Sequence, residues 1–535
     1  MRVILLLTIL LVLISSGNAR SETHVTVNTP LGRIVGIEQN GIDVFKGIPY
    51  AEPPVGELRW RQTVPVKAWK NHGELRAINF SDICPQVRFG EPDKGTEGMS
   101  EDCLYLNIWR PSLTDSDTKL PVMVWIHGGA FVFGSGSVPE SFGDNFARNG
   151  VILVTINYRL GRLGHFAFPS LTKANADEYK GSYAYMDQIT ALKWLQTNIA
   201  SFGGDKNNVT IFGESAGGVS VHTLLSIAEA DGLFHKAIIQ SGGGRDGVLT
   251  GRPITENNSD RHYPDSAEQI GVNFAEYMGI KGTDSKALAE LKELPFEAIL
   301  AKGLESNPTN GKPIYSGPIR DGKFVQLTAE SAYKRNTYSK VPLIIGSTTA
   351  EVPAGFVNAS SKQQLWSMFG TFASSAAEAY DPTGERSIEE VLTYVNTDKV
   401  WAEPARFTAR VFSRHPLPVY VYRFGYVPQA LNDTYRFGAP HASEIPYVFN
   451  NPGTRRGGLK VTETDIEVSE LLNTYWVNFA KHGNPNGINL PDWHEYSEAS
   501  PLLLKIGKDG QAASFSDPTE QRLDVIEKAV DLHIF

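Results

Sequence analysis

The chain has 535 residues, of which 41% are hydrophobic and 20% charged, a composition that fits a packed globular protein and excludes disordered and fibrous classes. Its formal net charge of -9 opposes a phosphate backbone or an anionic membrane surface, so nucleic acid is not an expected partner. No Pro-rich, Gly/Ser-rich or single-sign charge run divides the sequence, and no repeat recurs at a period of roughly 20 to 50 residues, so one large domain over 20–535 is expected.

The N-terminus opens with Met1-Arg2, continues with an apolar run from Val3 to Ile14, and closes with Ser15-Ser16-Gly17-Asn18-Ala19. One positive charge, a short apolar stretch and a small-residue end predict a signal peptide over 1–19, cleaved near Ala19, and a secreted or periplasmic mature chain. The run falls short of the roughly 20 residues that a transmembrane helix needs, and none like it recurs, so no membrane span is expected in the mature chain. Cys84 and Cys103 are the only cysteines, and an even count in an exported chain predicts a disulfide between them. There is no His-Glu-x-x-His and no Cys/His ligand spacing, so no metal is expected.

Apolar, β-branched runs follow at Pro121–Ile126, Val151–Ile156, Val209–Phe212, Lys236–Gln240, Val341–Ile345 and Val419–Phe424, each reading as a buried strand. Helical spacing of Ile189, Leu192, Trp194 and Leu195 marks a helix over Tyr185–Ile199. Strand and helix alternate, which predicts an α/β fold with a mostly parallel sheet covered on both faces and function at the carboxyl ends of its strands. The segment from about 245 to 340 is richer in loops and short helical patterns. It reads as an insertion that helps roof the site.

Gly213-Glu214-Ser215-Ala216-Gly217 lies between a strand ending at Phe212 and a helix predicted over Ala216–Ala228. A sharp strand-to-helix turn of this kind holds its serine in strained backbone geometry, so the residues two positions away on either side must be small. Ser215 is therefore the candidate nucleophile, and a glycine turn with a helix-capping serine is the alternative. His127-Gly128-Gly129-Ala130-Phe131 follows the strand ending at Ile126. Glycines let backbone N–H groups approach an oxyanion, which makes Gly129, Ala130 and Ala216 the candidate donors. Gly134-Ser135-Gly136 lacks the third glycine of a dinucleotide fingerprint.

Several further segments carry a resemblance to the type-B carboxylesterase family, the carboxylesterase and cholinesterase group. They are Phe45-Lys46-Gly47-Ile48-Pro49-Tyr50-Ala51-Glu52-Pro53-Pro54, Ser100-Glu101-Asp102-Cys103-Leu104-Tyr105-Leu106-Asn107, Phe202-Gly203-Gly204-Asp205 and the stretch from Phe212 to Gly218. The similarity runs from about Thr23 to Trp493, and such a series in one order is highly specific. It implies an α/β-hydrolase fold, ester hydrolysis with water as second substrate, and no cofactor. The fold's chain order of nucleophile, acid and base puts the base late in the sequence. Gly438-Ala439-Pro440-His441-Ala442-Ser443-Glu444 resembles the family's catalytic-histidine motif, which implies His441 as base. Gly346-Ser347-Thr348-Thr349-Ala350-Glu351 resembles the loop bearing the family's catalytic glutamate, which implies Glu351 as acid. The usual glycine after that glutamate is replaced here by Val352-Pro353. Glu214 reads as an electrostatic neighbour of the nucleophile.

Departures from cholinesterase-like relatives suggest a roomier pocket, since Ala354-Gly355 follow the acid and Gly242-Gly243-Gly244-Arg245 follow Gln240-Ser241 where those relatives carry aromatics. Ala354, Gly355 and Arg245 are thus candidate substrate contacts, Arg245 as a reader of a substrate carboxylate or as a residue simply solvated or paired with Asp246. A choline-ester specialist is disfavoured because Phe89 is the only aromatic between the two cysteines. A lipase-like esterase is the runner-up, though the Cys84–Cys103 loop is short for a large lid. A non-catalytic adhesion relative would lack part of the triad. The natural ester and the oligomeric state stay open.

Overall fold

The computed structural model describes residues 23–534 except 70–72, 88–97, 113–118, 175–176, 455–457 and 459, so the expected signal peptide, its cleavage point and Phe89 lie outside the described residues. A 13-stranded sheet organises the chain. Its strands are β1 (Thr23–Thr29), β2 (Gly32–Gln39), β3 (Ile42–Pro49), β4 (Glu74–Arg76), β5 (Tyr105–Pro111), β6 (Leu120–Ile126), β7 (Ile152–Ile156), β8 (Gly204–Glu214), β9 (Lys236–Gln240), β10 (Leu343–Thr348), β11 (Val419–Phe424), β12 (Leu502–Ile506) and β13 (Ala512–Ser516). They lie in the order β1-β2-β3-β5-β7-β6-β8-β9-β10-β11-β12-β13, with β4 beside β2. From β7 to β12 every pairing is parallel. Antiparallel pairs close both sides, β5 against β7 and β13 against β12.

The parallel strands read as continuous apolar runs because both faces are covered. Successive residues serve opposite cores: Val122, Val124, Val154, Ile211, Ile239, Ile345 and Val421 pack on one side, and Met123, Trp125, Leu153, Phe212, Ile238, Ile344 and Tyr422 on the other. Each fully buried side chain of this kind contributes roughly 1.5–3 kcal/mol. A one-residue slip would exchange the two sets, so the register is firmly fixed. That register sets Glu214 beside Gln240, Gln240 beside Gly346 and Gly346 beside Tyr422. The carboxyl ends of β8 to β11 therefore finish close together.

The observed strands match the expected runs with small changes of boundary. The third extends to Gly204–Glu214 and the fifth moves to Leu343–Thr348. The helices run over Tyr183–Asn198 and Ala216–Ser226. The antiparallel wings went unread in the sequence because strands such as Thr23–Thr29 and Ala512–Ser516 are largely solvent-facing and carry no apolar run. The segment 245–340 holds the expected short helices, among them Ala267–Tyr277, Ser285–Lys292 and Ala329–Lys334. A separate apolar cluster joins Val357, Leu365, Phe369, Val391 and Val395 to Val525 and Ile526 of the C-terminal helix Glu520–Asp531.

Candidate active site

Ser215 sits at the turn between β8 and the helix Ala216–Ser226 with φ 56° and ψ -122°, a strained conformation for a residue with a side chain. Its neighbours explain why the turn can be so tight. A Cβ on Gly213 would lie 2.5 Å from the Gly217 carbonyl carbon, and one on Gly217 would lie 2.0 Å from the Ile126 carbonyl oxygen. The Ser215 N–H donates to the Gln240 carbonyl at 2.9 Å, which ties the turn to β9.

Glu351 lies three residues beyond β10 and is buried. One carboxylate oxygen meets His441 Nδ1 at 2.5 Å, and the other accepts from Ser241 Oγ at 2.6 Å and from the Thr348 N–H at 2.8 Å. Burial alone would raise this carboxyl, but the charge and hydrogen bond of His441, with the Ser241 and Thr348 donors, hold it below the usual carboxylate range. The main chains are joined as well, the His441 N–H donating to the Glu351 carbonyl at 2.9 Å. The Glu351 N–H donates to Thr397 Oγ1 at 2.9 Å. Thr397 opens a π-helical turn, Asp398–Ala402, whose Trp401 ring lies 5.0 Å from the His441 ring. Arg522 of the C-terminal helix anchors that turn through Asp398 at 2.8 and 2.9 Å.

The other edge of His441 faces Glu214, with Nε2 3.2 Å from Oε1. Burial alone would lower the imidazole, but the carboxylates of Glu214 and Glu351 outweigh it and hold it up to about 10. Glu214 is pushed up to about 8, chiefly by burial, with His441 pulling the other way. The contact is electrostatic rather than a hydrogen bond, since Glu214 Oε1 has no hydrogen-bond partner among the described residues. Burial lowers two other histidines to about 4 and keeps them neutral. They are His127, stacked on Tyr158, and His222, bonded to Tyr333 Oη and the Gly243 carbonyl.

Gly129 has φ 104° and Ala130 φ 52°. Among the described residues their N–H groups have no protein acceptor, and Ala216 opens the helix after Ser215. Gly129 and Ala130 border a cavity of about 670 Å³ that also holds Ser215, His441 and Glu214 together with Phe133, Leu249, Val352, Phe356 and Trp401. Lys and Arg are absent from its described lining.

Two expectations about the pocket are corrected. Arg245 is buried away from the cavity, where it pairs with Glu403 at 2.7 Å, Glu330 at 2.9 Å and Asp531 at 3.2 Å and lies over the Phe407 ring. Its charge is consumed by those carboxylates, none of them the adjacent Asp246, so it cannot read a substrate carboxylate. Ala354 and Gly355 are exposed and lie outside the cavity lining, where Val352 and Phe356 stand instead. Of the segment 245–340 only Val248 and Leu249 reach the cavity, whose wall includes Val352, Phe356, Val400, Trp401 and residues between Tyr426 and Tyr447. Sequence reading had missed Ser241, Thr397 and Trp401. Ser241 stood in a quoted motif, but Thr397 and Trp401 lie about 50 residues past the acid in sequence and carry no local signal.

Cys84 and Cys103 form a disulfide with a Cα–Cα distance of 5.0 Å. Among the described residues no group of three or more His, Cys, Asp or Glu is placed to hold a metal ion, and no helix is long and apolar enough to cross a membrane.

The model of the carboxylesterase family matches residues 23–525. The chain belongs to that family. As a carboxylesterase it is a carboxylic ester hydrolase, and its relatives span bacteria and mammals. It is 34% identical to the para-nitrobenzyl esterase of Bacillus subtilis (strain 168), covering 94% of this chain and 98% of that protein. It is 32% identical to the fumonisin B1 esterase of Sphingopyxis macrogoltabida over 89% of this chain and 85% of that one, and 31% identical to human cocaine esterase over 92% and 90%. A solved para-nitrobenzyl esterase structure superposes with a TM-score of 0.78 at 32% identity, covering 94% of this chain and 99% of the other. The carboxylesterase thus has the α/β-hydrolase architecture, a large mostly parallel sheet flanked by helices.

Proposed function

We propose that this carboxylesterase works through a Ser215-His441-Glu351 triad and an acyl-enzyme intermediate. The observation that carries the reading is His441, held by Glu351 on Nδ1 and facing Glu214, the residue before Ser215, with Nε2, in a cavity that Ser215 and His441 both line. His441 takes the Ser215 proton as the hydroxyl oxygen attacks the ester carbonyl, while the N–H groups of Gly129, Ala130 and Ala216 stabilise the oxyanion. His441 then protonates the departing alcohol. Water, activated by the same ring, attacks the acyl-enzyme, releases the acid and restores Ser215. Glu351 orients the ring and stabilises the imidazolium without taking its proton.

Substrates are neutral esters of broad or bulky shape. The cavity of about 670 Å³ with no Lys or Arg in its described lining supports this. The names of the relatives, which refer to para-nitrobenzyl esters, fumonisin B1 and cocaine, support the bulky shape. The chain acts after export, a reading supported by the N-terminal apolar run and its small-residue end. Ser215→Ala tests the mechanism: turnover falls at least about 10⁴-fold with unchanged circular dichroism, because triad members act as a unit. Substantial turnover by the folded variant rejects it.

A further inference from the structure

The loop from His127 to Gly136 has no regular secondary structure between β6 and the short helix Pro139–Ser141, yet its backbone must hold Gly129 and Ala130 to within a few tenths of an ångström if they are to serve an oxyanion. Its ends are well pinned. Tyr158 Oη donates to the His127 carbonyl at 2.6 Å, and Thr155 Oγ1 and Asn107 Nδ2 donate to the Gly136 carbonyl at 2.6 and 3.2 Å. The Gly136 N–H donates to Asn157 Oδ1 at 2.8 Å.

The inner part of the loop depends on a residue outside it. Gln86 Oε1 accepts from the Gly134 N–H at 2.8 Å, and Gln86 Nε2 donates to the Gly134 carbonyl at 2.9 Å. One side-chain amide thus satisfies both polar groups of a single loop residue, in the manner of a strand partner. Gln86 is 8% exposed, and its Nε2 also donates to the Cys84 carbonyl at 3.0 Å, which fixes the direction of the amide. Cys84 is joined to Cys103, so the anchor is itself tied to the chain entering β5.

The clamp reaches the oxyanion donors through one peptide. Phe133, next to Gly134, donates its N–H to the Gly129 carbonyl at 3.1 Å, and a Cβ on Gly129 would lie 2.0 Å from the Phe133 carbonyl oxygen. Gly129 and Phe133 are in such close backbone contact that a shift at Gly134 must move Gly129. On the other side the loop has no slack, because a Cβ on Gly134 would lie 2.3 Å from His127 Nδ1.

We infer that Gln86, held by the Cys84–Cys103 bridge, is a positioning residue that sets the Gly129 and Ala130 N–H groups for transition-state binding. The inference rests on the proposed role of those N–H groups. Gln86→Glu is the sharpest perturbation: it keeps shape and the acceptor from the Gly134 N–H, but sets a second oxygen against the Gly134 and Cys84 carbonyls. Gln86→Ala removes both bonds.

The test compares kcat and KM for a para-nitrophenyl ester with inhibition by a trifluoromethyl ketone, which adds to Ser215 and forms an oxyanion, and by an unreactive isosteric ether. For both variants kcat falls about tenfold to a hundredfold, less than the roughly 10²- to 10³-fold loss of a whole oxyanion donor because the donors are displaced rather than removed, and trifluoromethyl ketone affinity falls by the same factor. KM and ether affinity stay within about twofold, the pattern of an interaction made only in the transition state. Unchanged kcat in a folded variant overturns the inference, as does equal loss of ketone and ether affinity. Gln86→Glu serves if Gln86→Ala does not fold. Wild-type protein that binds ketone and ether equally well contradicts the oxyanion reading itself, whereas a wild-type preference left intact in the variants contradicts only the role of Gln86.

Discussion

Replacing Glu214 by Gln removes a carboxylate that lies 3.2 Å from His441 Nε2 while keeping the side chain's shape. At that distance and an effective dielectric constant of about 20, a fully ionised Glu214 attracts the imidazolium by about 5 kcal/mol. The full amount is not available, because burial holds Glu214 up to about 8 and it carries a whole charge only above that pH. A net effect of about 1.4 to 2.8 kcal/mol on His441 follows, equivalent to about one to two pKa units. The sign follows from the proposed mechanism. His441 must be deprotonated to act as base, and its neighbours hold it up to about 10, so wild-type kcat/KM rises with pH across the neutral and mildly alkaline range. Glu214→Gln lowers the His441 pKa and moves that rising limb about one to two units toward acid, so the variant gains relative activity near pH 6. The assay is kcat/KM for a neutral para-nitrophenyl ester from pH 5 to 10, with spontaneous hydrolysis subtracted. A limb that stays in place or moves toward alkali refutes the electrostatic hold of Glu214 on His441.

Glu351→Gln keeps the shape of the acid but cannot stabilise the imidazolium, and kcat falls about 10⁴-fold, while Glu351→Asp retains at least tenfold more activity than Glu351→Gln; equal activities move the role to another residue. Arg245→Ala leaves Glu403 buried without its bidentate partner and Glu330 with Lys334 alone, and costs about 3–5 kcal/mol in urea unfolding, yet the ratio of kcat/KM for a carboxylate-bearing ester and its neutral analogue is unchanged. A selective loss on the carboxylate ester would return Arg245 to the substrate. The unreduced, denatured protein contains no alkylatable thiol, and reducing the Cys84–Cys103 bridge costs about 3 kcal/mol of stability on the chain-entropy model; thiol labelling before and after reductant checks the first, and urea unfolding with and without reductant the second.

The Gly129 to Phe133 contact also bears on engineering, since any substitution at Gly129 meets the Phe133 carbonyl before it meets substrate. Room for altering specificity lies instead at Phe356 and Trp401. Their rings are 5.4 Å apart in an edge-to-face pair, and Phe356 is 46% exposed at the cavity mouth. The π-helical turn that presents Trp401 also supplies, just before it, the Thr397 acceptor for the Glu351 N–H, so changes in that turn will touch both specificity and the triad.

Much of this protein was decided locally. The apolar runs of β6 to β11 could be read because a doubly covered parallel strand leaves no polar face, and the elbow because a tight strand-to-helix turn tolerates only glycine at 213 and 217. Motif similarity then singled out Glu351 and His441. The sequence could not decide where charges end their search for partners. Arg245 stood one glycine from a pocket-lining segment, yet Glu330, Glu403 and Asp531, all remote in sequence, enclose it and take its charge. The same holds for Ser241, Thr397 and Gln86. Each works through a hydrogen bond to a residue tens of positions away, 110 from Ser241 to Glu351, 46 from Thr397 to Glu351 and 48 from Gln86 to Gly134. Backbone propensity and hydrophobic period act over a few residues. A buried polar group is satisfied by whichever donor or acceptor the packed sheet brings within about 3 Å, and only the tertiary structure decides which one that is.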